Sequence, residues 1–457
     1  MLMLYEHYQG RDDKRSLTIE QSSGLINPEY KRVPKHNKDA LPYFCLQQRD
    51  DGGYDCQTHY YIGLDWLKVG EKSIYVAPKI NHQSDVVIDH LSMFFEALEE
   101  PENIKHLDGL CEVDFDEPMI EIEQQTDDLT IFLIAGFLQI LKYIVKTGLK
   151  KQYYTEKKIL RGRIKGKLNI SESINHSISK QMQLDNACSY QIFGVNHNEN
   201  KLLKKACRVA ERYLDLYSAQ LQRKHFSELE HIINYIRPAF RQIDDDIDPN
   251  MLKTVKPNPF YKTYEQALKL AQLILKRTAY NTSFQKEQLV KTPPYWIDMS
   301  KLFELYIFKK LREKYTKTGA VTYHMRSNRQ ELDFIVNTEN EFGEKVQLIV
   351  DAKYKPRYES KNIGMDDARQ LSGYARLRNI YNLFKINPVN GLYPMIDSMI
   401  IYPYQLQDHE EKLIENIPTM KYDHLGQLGV LRSDPNYVQF YKLGIKLPEC
   451  TSKLTSN

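Results

Sequence analysis

None of the six cysteines, Cys45, Cys56, Cys111, Cys188, Cys207 and Cys450, stands in a Cys-x-x-Cys pair. That argues against a zinc site, and their scatter fits free thiols in a reducing compartment. The chain also lacks a Gly-x-x-x-x-Gly-Lys-Ser/Thr loop, so nucleotide hydrolysis is expected of another chain. Long apolar runs are missing. The most apolar stretch, Leu129 to Val145, is interrupted by Thr130, Gln139 and Lys142, and it reads as a buried helix too short for a membrane span. The run Met1-Leu-Met-Leu-Tyr5 is too short for a signal peptide. A cytoplasmic, soluble protein with no membrane partner is therefore expected. Charge of one sign is not in excess either. A net charge of +3 with 27% charged residues excludes a strongly basic nucleic-acid coat, so any DNA-binding surface must be local. No internal repeat or low-complexity tract is present.

What the chain does have is 42% hydrophobic residues and 32 tyrosines over 457 positions. That is enough for cores in roughly two to four domains. Its most informative stretch is Gln330-Glu-Leu-Asp-Phe-Ile-Val336, followed by Leu348-Ile-Val-Asp-Ala-Lys-Tyr354. Both are rich in branched and aromatic residues and read as strands, joined by a polar, glycine-containing turn. If the hairpin is symmetric about Phe342, Asp333 stands opposite Asp351, with Cβ atoms about 5 Å apart. Lys353 lies two residues from Asp351 and shares its face. Two such carboxylates repel each other unless a cation lies between them, and hard oxygen ligands suit Mg²⁺ or Mn²⁺. The expected chemistry is metal-assisted phosphodiester hydrolysis, with Lys353 positioning the water or stabilising the pentavalent state. The alternative is a surface hairpin with solvated charges.

Two flanking segments bear on the choice. Ser300 to Arg312 reads as a helix on which Glu304 shares a face with Ile307, Phe308 and Leu311. An acid on an apolar stripe needs a partner, either a shared metal ion or a lysine. Downstream, Gln370 and Tyr374 are four apart on a predicted helix, among basic residues that include Arg369, and that face suits phosphate contact. His324 is either a general base or a structural histidine at a strand edge. Arg326 and Arg329 are candidates for the DNA backbone. The basic segment around Arg161, Arg163 and Lys165 suits a phosphate or a partner's acidic pocket, or is simply a solvated hairpin.

The order Glu304, Asp333, Asp351-Ala-Lys353, Gln370-x-x-x-Tyr374 resembles the PD-(D/E)xK nuclease superfamily, in its branch with a Gln-x-x-x-Tyr helix. The proline usual before the first acid is Leu332 here. Three further blocks make the chain similar to one family, McrC, the nuclease subunit of McrBC-type and LlaJI-like restriction systems. They are Tyr61-Ile-Gly-Leu-Asp-Trp with Ser73 to Ile80, Arg161-Gly-Arg-Ile-Lys-Gly-Lys167, and Asn198-Glu-Asn-Lys. The resemblance implies Asp333, Asp351 and Glu304 as metal ligands, with Lys353 and Gln370 completing the catalytic set. It places Tyr374, Arg326, Arg329 and Arg369 at DNA. It also implies double-stranded DNA as substrate and a McrB-like AAA+ GTPase hexamer as partner.

The expected fold is multidomain α+β. Residues 1–110 form a β-rich N-terminal domain, 111–295 a mainly helical region with the Arg-Gly-Arg segment, and 296–457 an α/β restriction-endonuclease-like domain. A non-cleaving adaptor that activates the ring and holds DNA remains open, as does a stand-alone repair nuclease.

Overall fold

A computed structural model describes residues 1–7, 17, 22–34, 41–78, 88–123, 128–180, 184–217, 223–247, 262–280, 289–328, 330–339, 343–355, 363–404 and 422–449. Helices and strands occur in separate runs along the chain, as expected of a mixed multidomain α+β chain. The chain divides into two compact units. One combines Met1–Ile122 with Lys291–Asn457, and the other is Glu123–Val290.

The first unit opens with strands where the sequence shows few periods: β1 (Leu2–Tyr5), β2 (Glu29–Arg32), β3 (Phe44–Gln48) and β4 (Tyr54–Thr58). Each is only four or five residues long, too short for alternation to stand out. Strands β5 (Tyr61–Lys68) and β6 (Lys72–Ala77) pair as an antiparallel hairpin. Its turn uses the left-handed Gly70. Helix α1 (His90–Leu98), capped by Asp89, and β7 (Cys111–Val113) follow.

In the second unit, α2 (Asp128–Thr147) is the apolar stretch noted above. It has the length and composition to cross a membrane, yet Phe132, Leu133, Phe137, Leu138 and Leu141 are buried where it packs on later helices. Gly148 ends it, with a left-handed backbone and an N–H donating to the Ile144 carbonyl. Strand β8 (Gln152–Arg161), β9 (Lys167–Leu168), α3 (Ile170–Lys180) and β10 (Asp185–Gly194) form a ribbon with a helix against it. Strands β8 and β10 pair antiparallel from Gln152↔Gly194 to Arg161↔Asp185. Helices α4 (Asn198–Tyr217), α5 (Arg223–Ile236) and α6 (Lys262–Tyr280) complete the bundle with α2. The start of α4 is pinned by Asn200, whose amide donates to the carbonyls of Lys150 and Val195 and accepts from the Tyr264 hydroxyl. The acidic connector after α5 is tied to α4. Asp244 pairs with Lys201, and Lys204 and Lys205 donate to the carbonyls of Ile243 and Ile247.

Two strands follow among the described residues, Leu289–Thr292 and β11 (Tyr295–Asp298). Strand β11 inserts between β5 and β7, giving a sheet of order β1-β6-β5-β11-β7. Gly63 makes this possible, because a Cβ there would lie 2.1 Å from the Tyr295 carbonyl oxygen. Trp296 is buried in the core shared by this sheet and β2-β3-β4. Its ring stacks on Tyr43 at 4.5 Å, and its N–H donates to Asp65 at 2.9 Å.

The chain then forms α7 (Met299–Lys314), β12 (Val321–Ser327), β13 (Gln330–Glu339), β14 (Lys345–Ala352), α8 (Met365–Tyr374), α9 (Arg378–Phe384), β15 (Asp397–Tyr404), β16 (Val430–Ser433) and β17 (Phe440–Lys446). The six strands make one mixed sheet of order β12-β13-β14-β15-β17-β16, parallel at β14/β15 and β15/β17. Helices α8 and α9 cover one face through Leu371, Tyr374, Ile380 and Phe384. Helix α7 packs on the sheet through Phe308, whose ring stacks with Phe334 and Tyr323. The N-terminal strand reaches this layer directly. Glu6, fully buried, accepts a hydrogen bond from the Tyr354 hydroxyl at 2.8 Å.

Two stability measurements check this fold. Trp296→Ala removes a buried ring and its hydrogen bond and should cost about 3–5 kcal/mol in denaturant unfolding; a cost under about 1 kcal/mol would contradict the packing. Burial pushes the Glu6 carboxyl up to about 8, against the Tyr354 hydrogen bond. A raised folded value means that the fold holds a proton which the unfolded chain releases. The stability this proton supplies is present below the unfolded carboxylate value and is lost as pH rises through 8. Glu6→Gln should flatten unfolding free energy over that window by on the order of 1 kcal/mol per pH unit. An unchanged slope would mean that Glu6 stays ionised.

Candidate active site

The hairpin register is the one the symmetric reading requires. Glu339↔Lys345 through Phe334↔Val350 pair in one unbroken ladder, and the next step sets Asp333 opposite Asp351. The Asp333 carboxylate accepts the backbone N–H of Ala352 at 2.8 Å, which pins it across the open end of the hairpin. Asp351 is 1% exposed, and its Oδ2 lies 2.9 Å from the Lys353 ammonium.

Helix α8 closes over this end. Lys353 Nζ donates to Gln370 Oε1 at 3.1 Å, Gln370 Nε2 donates to the Tyr374 hydroxyl at 2.7 Å, and that hydroxyl donates to the Glu331 carbonyl at 3.0 Å. The i, i+4 spacing is what lets one helix face reach both the lysine and the first strand. Tyr374, expected at DNA, is 5% exposed and joins helix to hairpin. Glu304 lies on α7 beside the buried Ile307, Phe308 and Leu311. Its Oε2 accepts from the Tyr323 hydroxyl at 3.1 Å and is 3.1 Å from His324 Nε2.

The electrostatics follow from burial. Desolvation raises the Asp333 carboxyl well above the usual range, reinforced by the charges of Asp351 and Glu304 and opposed by Lys353 and the Ala352 N–H. Desolvation also raises Asp351, against the pull of Lys353. For Lys353, burial works against the charged form, but Asp351 and Asp333 outweigh it and hold the ammonium protonated. Among the described residues, no three His, Cys, Asp or Glu side chains close around one point as a preformed metal cage. Mg²⁺ needs no such cage, since one or two carboxylates with waters and substrate oxygens suffice. Asp333 and Asp351 fit that demand. They are poorly solvated, mutually repelling oxygen donors, and Asp351 Oδ2 has no aligned hydrogen-bond donor.

The other candidates sit elsewhere. Arg326 is 82% exposed and pairs with Glu331 at 3.3 Å, while Arg369 is 72% exposed and lies 3.7 Å from Asp366. Arg329 lies outside the described residues. Arg161, Arg163 and Lys165 are exposed at the end of β8 and in the turn to β9, in the second unit, with the Lys165 ammonium 4.2 Å over the Tyr190 ring. Sequence reasoning missed Tyr323 and also Asp367, a buried acid that pairs with Lys355 at 3.0 Å and acts electrostatically on Asp351 and Lys353. The available signal for Asp367 was its place one turn before Gln370 on the same helix.

A family model described as McrBC 5-methylcytosine restriction system component matches residues 56–384. No curated protein matches the chain. Among solved structures, a refined half-complex from a tetradecameric assembly of Thermococcus gammatolerans McrB AAA+ hexamers with bound McrC is similar over 90% of this chain and 82% of that one, at 15% identity and a TM-score of 0.36. The cryo-EM structure of the Thermococcus gammatolerans McrBC complex is similar over 69% of this chain and 88% of that one, at 14% identity and a TM-score of 0.29.

Relieving one of the two facing charges should stabilise the metal-free fold. Asp333→Asn keeps an acceptor for the Ala352 N–H, and in chelator it should raise the unfolding free energy by about 1 kcal/mol. A lower midpoint than wild type in denaturant titration would count against repulsion across the hairpin.

Proposed function

Because the chain belongs to the McrBC family of restriction-system components, matched over residues 56–384, we propose that it is the McrC-like nuclease subunit, a Mg²⁺-dependent endonuclease acting on double-stranded DNA. The observation that carries this reading is the convergence of Asp333, Asp351 and Lys353 at one end of a mixed sheet, with Gln370 holding the lysine. That arrangement supports a PD-(D/E)xK assignment for the C-terminal sheet and its helices.

Asp333 and Asp351 would hold Mg²⁺, or Mn²⁺ in its place, with Glu304 at its flank. The ion would supply Lewis-acid polarisation of the phosphodiester and a water of lowered pKa. The protein's own groups prepare for that. Asp351 forms the buried floor, and the Ala352 N–H fixes the Asp333 carboxylate. Lys353, kept charged by both aspartates, would orient the attacking water through its remaining N–H and offset charge on the pentavalent phosphate. Gln370 holds the ammonium in place from α8. In this reading a McrB-like AAA+ GTPase ring is the partner, and the exposed Arg161, Arg163 and Lys165 are offered to that partner or to phosphate.

Plasmid cleavage with Mg²⁺ and GTP tests the proposal, using methylated and unmethylated DNA, with and without the co-expressed GTPase. Cutting that needs the partner and GTP is expected, and Asp351→Ala should abolish it while leaving the circular-dichroism spectrum unchanged. Cutting at the wild-type rate by Asp351→Ala would remove the assigned site. Stimulated GTP hydrolysis with no cutting would leave an adaptor role instead.

A further inference from the structure

His324 stands on the edge strand β12 opposite Asp333. Its backbone is left-handed, with φ of +53°. Such a conformation is uncommon outside glycine and costs on the order of 1 kcal/mol or more. The pairs on either side, Tyr323↔Phe334 and Met325↔Leu332, share one register, so no residue has been inserted. The ladder is twisted at one point without a bulge.

The twist seats the imidazole between two carboxylates from different elements. Nε2 lies 3.1 Å from Glu304 Oε2 on α7, and Nδ1 lies 3.1 Å from Glu331 Oε1 at the start of β13. The ring lies against Tyr323, with centroids 3.8 Å apart, and the Tyr323 hydroxyl donates to the same Glu304 oxygen. Glu304 Oε2 is thereby held from two sides. A glutamate has three side-chain torsions, and without these contacts it would be free to swing away from the aspartates.

We propose that His324 is a positioning residue of the metal site, a strained clamp that holds the Glu304 carboxylate toward Asp333 and Asp351. It touches no reacting atom and acts through Glu304. The inference rests on the metal-site reading above. Partners that orient a ligand in this way are worth roughly 10–100-fold in metal affinity.

The discriminating variant is His324→Asn. Asparagine adopts a left-handed backbone with little strain, so the fold should be retained or gain stability. Its amide reaches about as far as Nδ1 and keeps the Glu331 contact, but it is too short for Glu304. Mn²⁺ binding to the DNA-free full chain, followed by calorimetry, is the readout, with thermal unfolding in parallel. Wild type should bind and Asp351→Ala should not. His324→Asn should bind roughly 10–100-fold more weakly with an unfolding midpoint no lower than wild type. In a Glu304→Gln background the same change should have little further effect, since the two residues act as one. Wild-type affinity in His324→Asn, or an undiminished loss in the Glu304→Gln background, would overturn the clamp while leaving the metal site intact. Absence of Asp351-dependent Mn²⁺ binding in wild type would sink the metal-site reading, and the clamp with it.

Discussion

Asp333 and Asp351 face each other across the open end of a hairpin in a poorly solvated place, where like charges repel far more strongly than in water. Most of the nearby structure answers that repulsion. The Ala352 N–H fixes one carboxylate, the Lys353 ammonium neutralises part of the other, and the Gln370–Tyr374 pair ties that lysine to the backbone of the first strand. Glu304 adds a third negative charge and is itself clamped by Tyr323 and His324. Such a cluster is poorly justified as a stabilising device. On the function proposed above, it is a site that takes a cation.

The frame that holds this cluster comes from both ends of the chain. Strand β11 is stitched into the N-terminal sheet by Trp296, and the chain continues directly into α7, capped by Asp298. Asn103 is fully buried and donates to the carbonyl of Leu305, the residue after Glu304. Glu6 bonds Tyr354, the residue after Lys353. The N-terminal part of the chain therefore buttresses both the helix and the hairpin end that carry site residues, and a disturbance there is one hydrogen bond and a few residues from the carboxylates. The second unit is organised differently, with its described residues arranged around a helical core that has the Asn200 amide at its joint and a long ribbon whose turn presents arginine and lysine to solvent.

Local pattern by itself determined the hairpin, its register and its two acids. Apolar alternation marked both strands, and their symmetry about Phe342 set Asp333 against Asp351 without any long-range information. The same holds for α7, with Glu304 on its apolar face, and for the Gln370–Tyr374 spacing, because period-3.6 and period-2 arguments need only neighbours in sequence. What only the tertiary structure decided depends on contacts between distant segments. Strands β2 to β4 are too short and too polar on one side to announce themselves, and they exist because Tyr43, Phe44, Leu46 and Tyr54 share a core with Trp296. The insertion of β11 between β5 and β7 hinges on one glycine more than 200 residues upstream. Burial of the Tyr374 hydroxyl and the left-handed twist at His324 likewise follow from where helix and strand finally meet, and no spacing in the chain encodes that meeting.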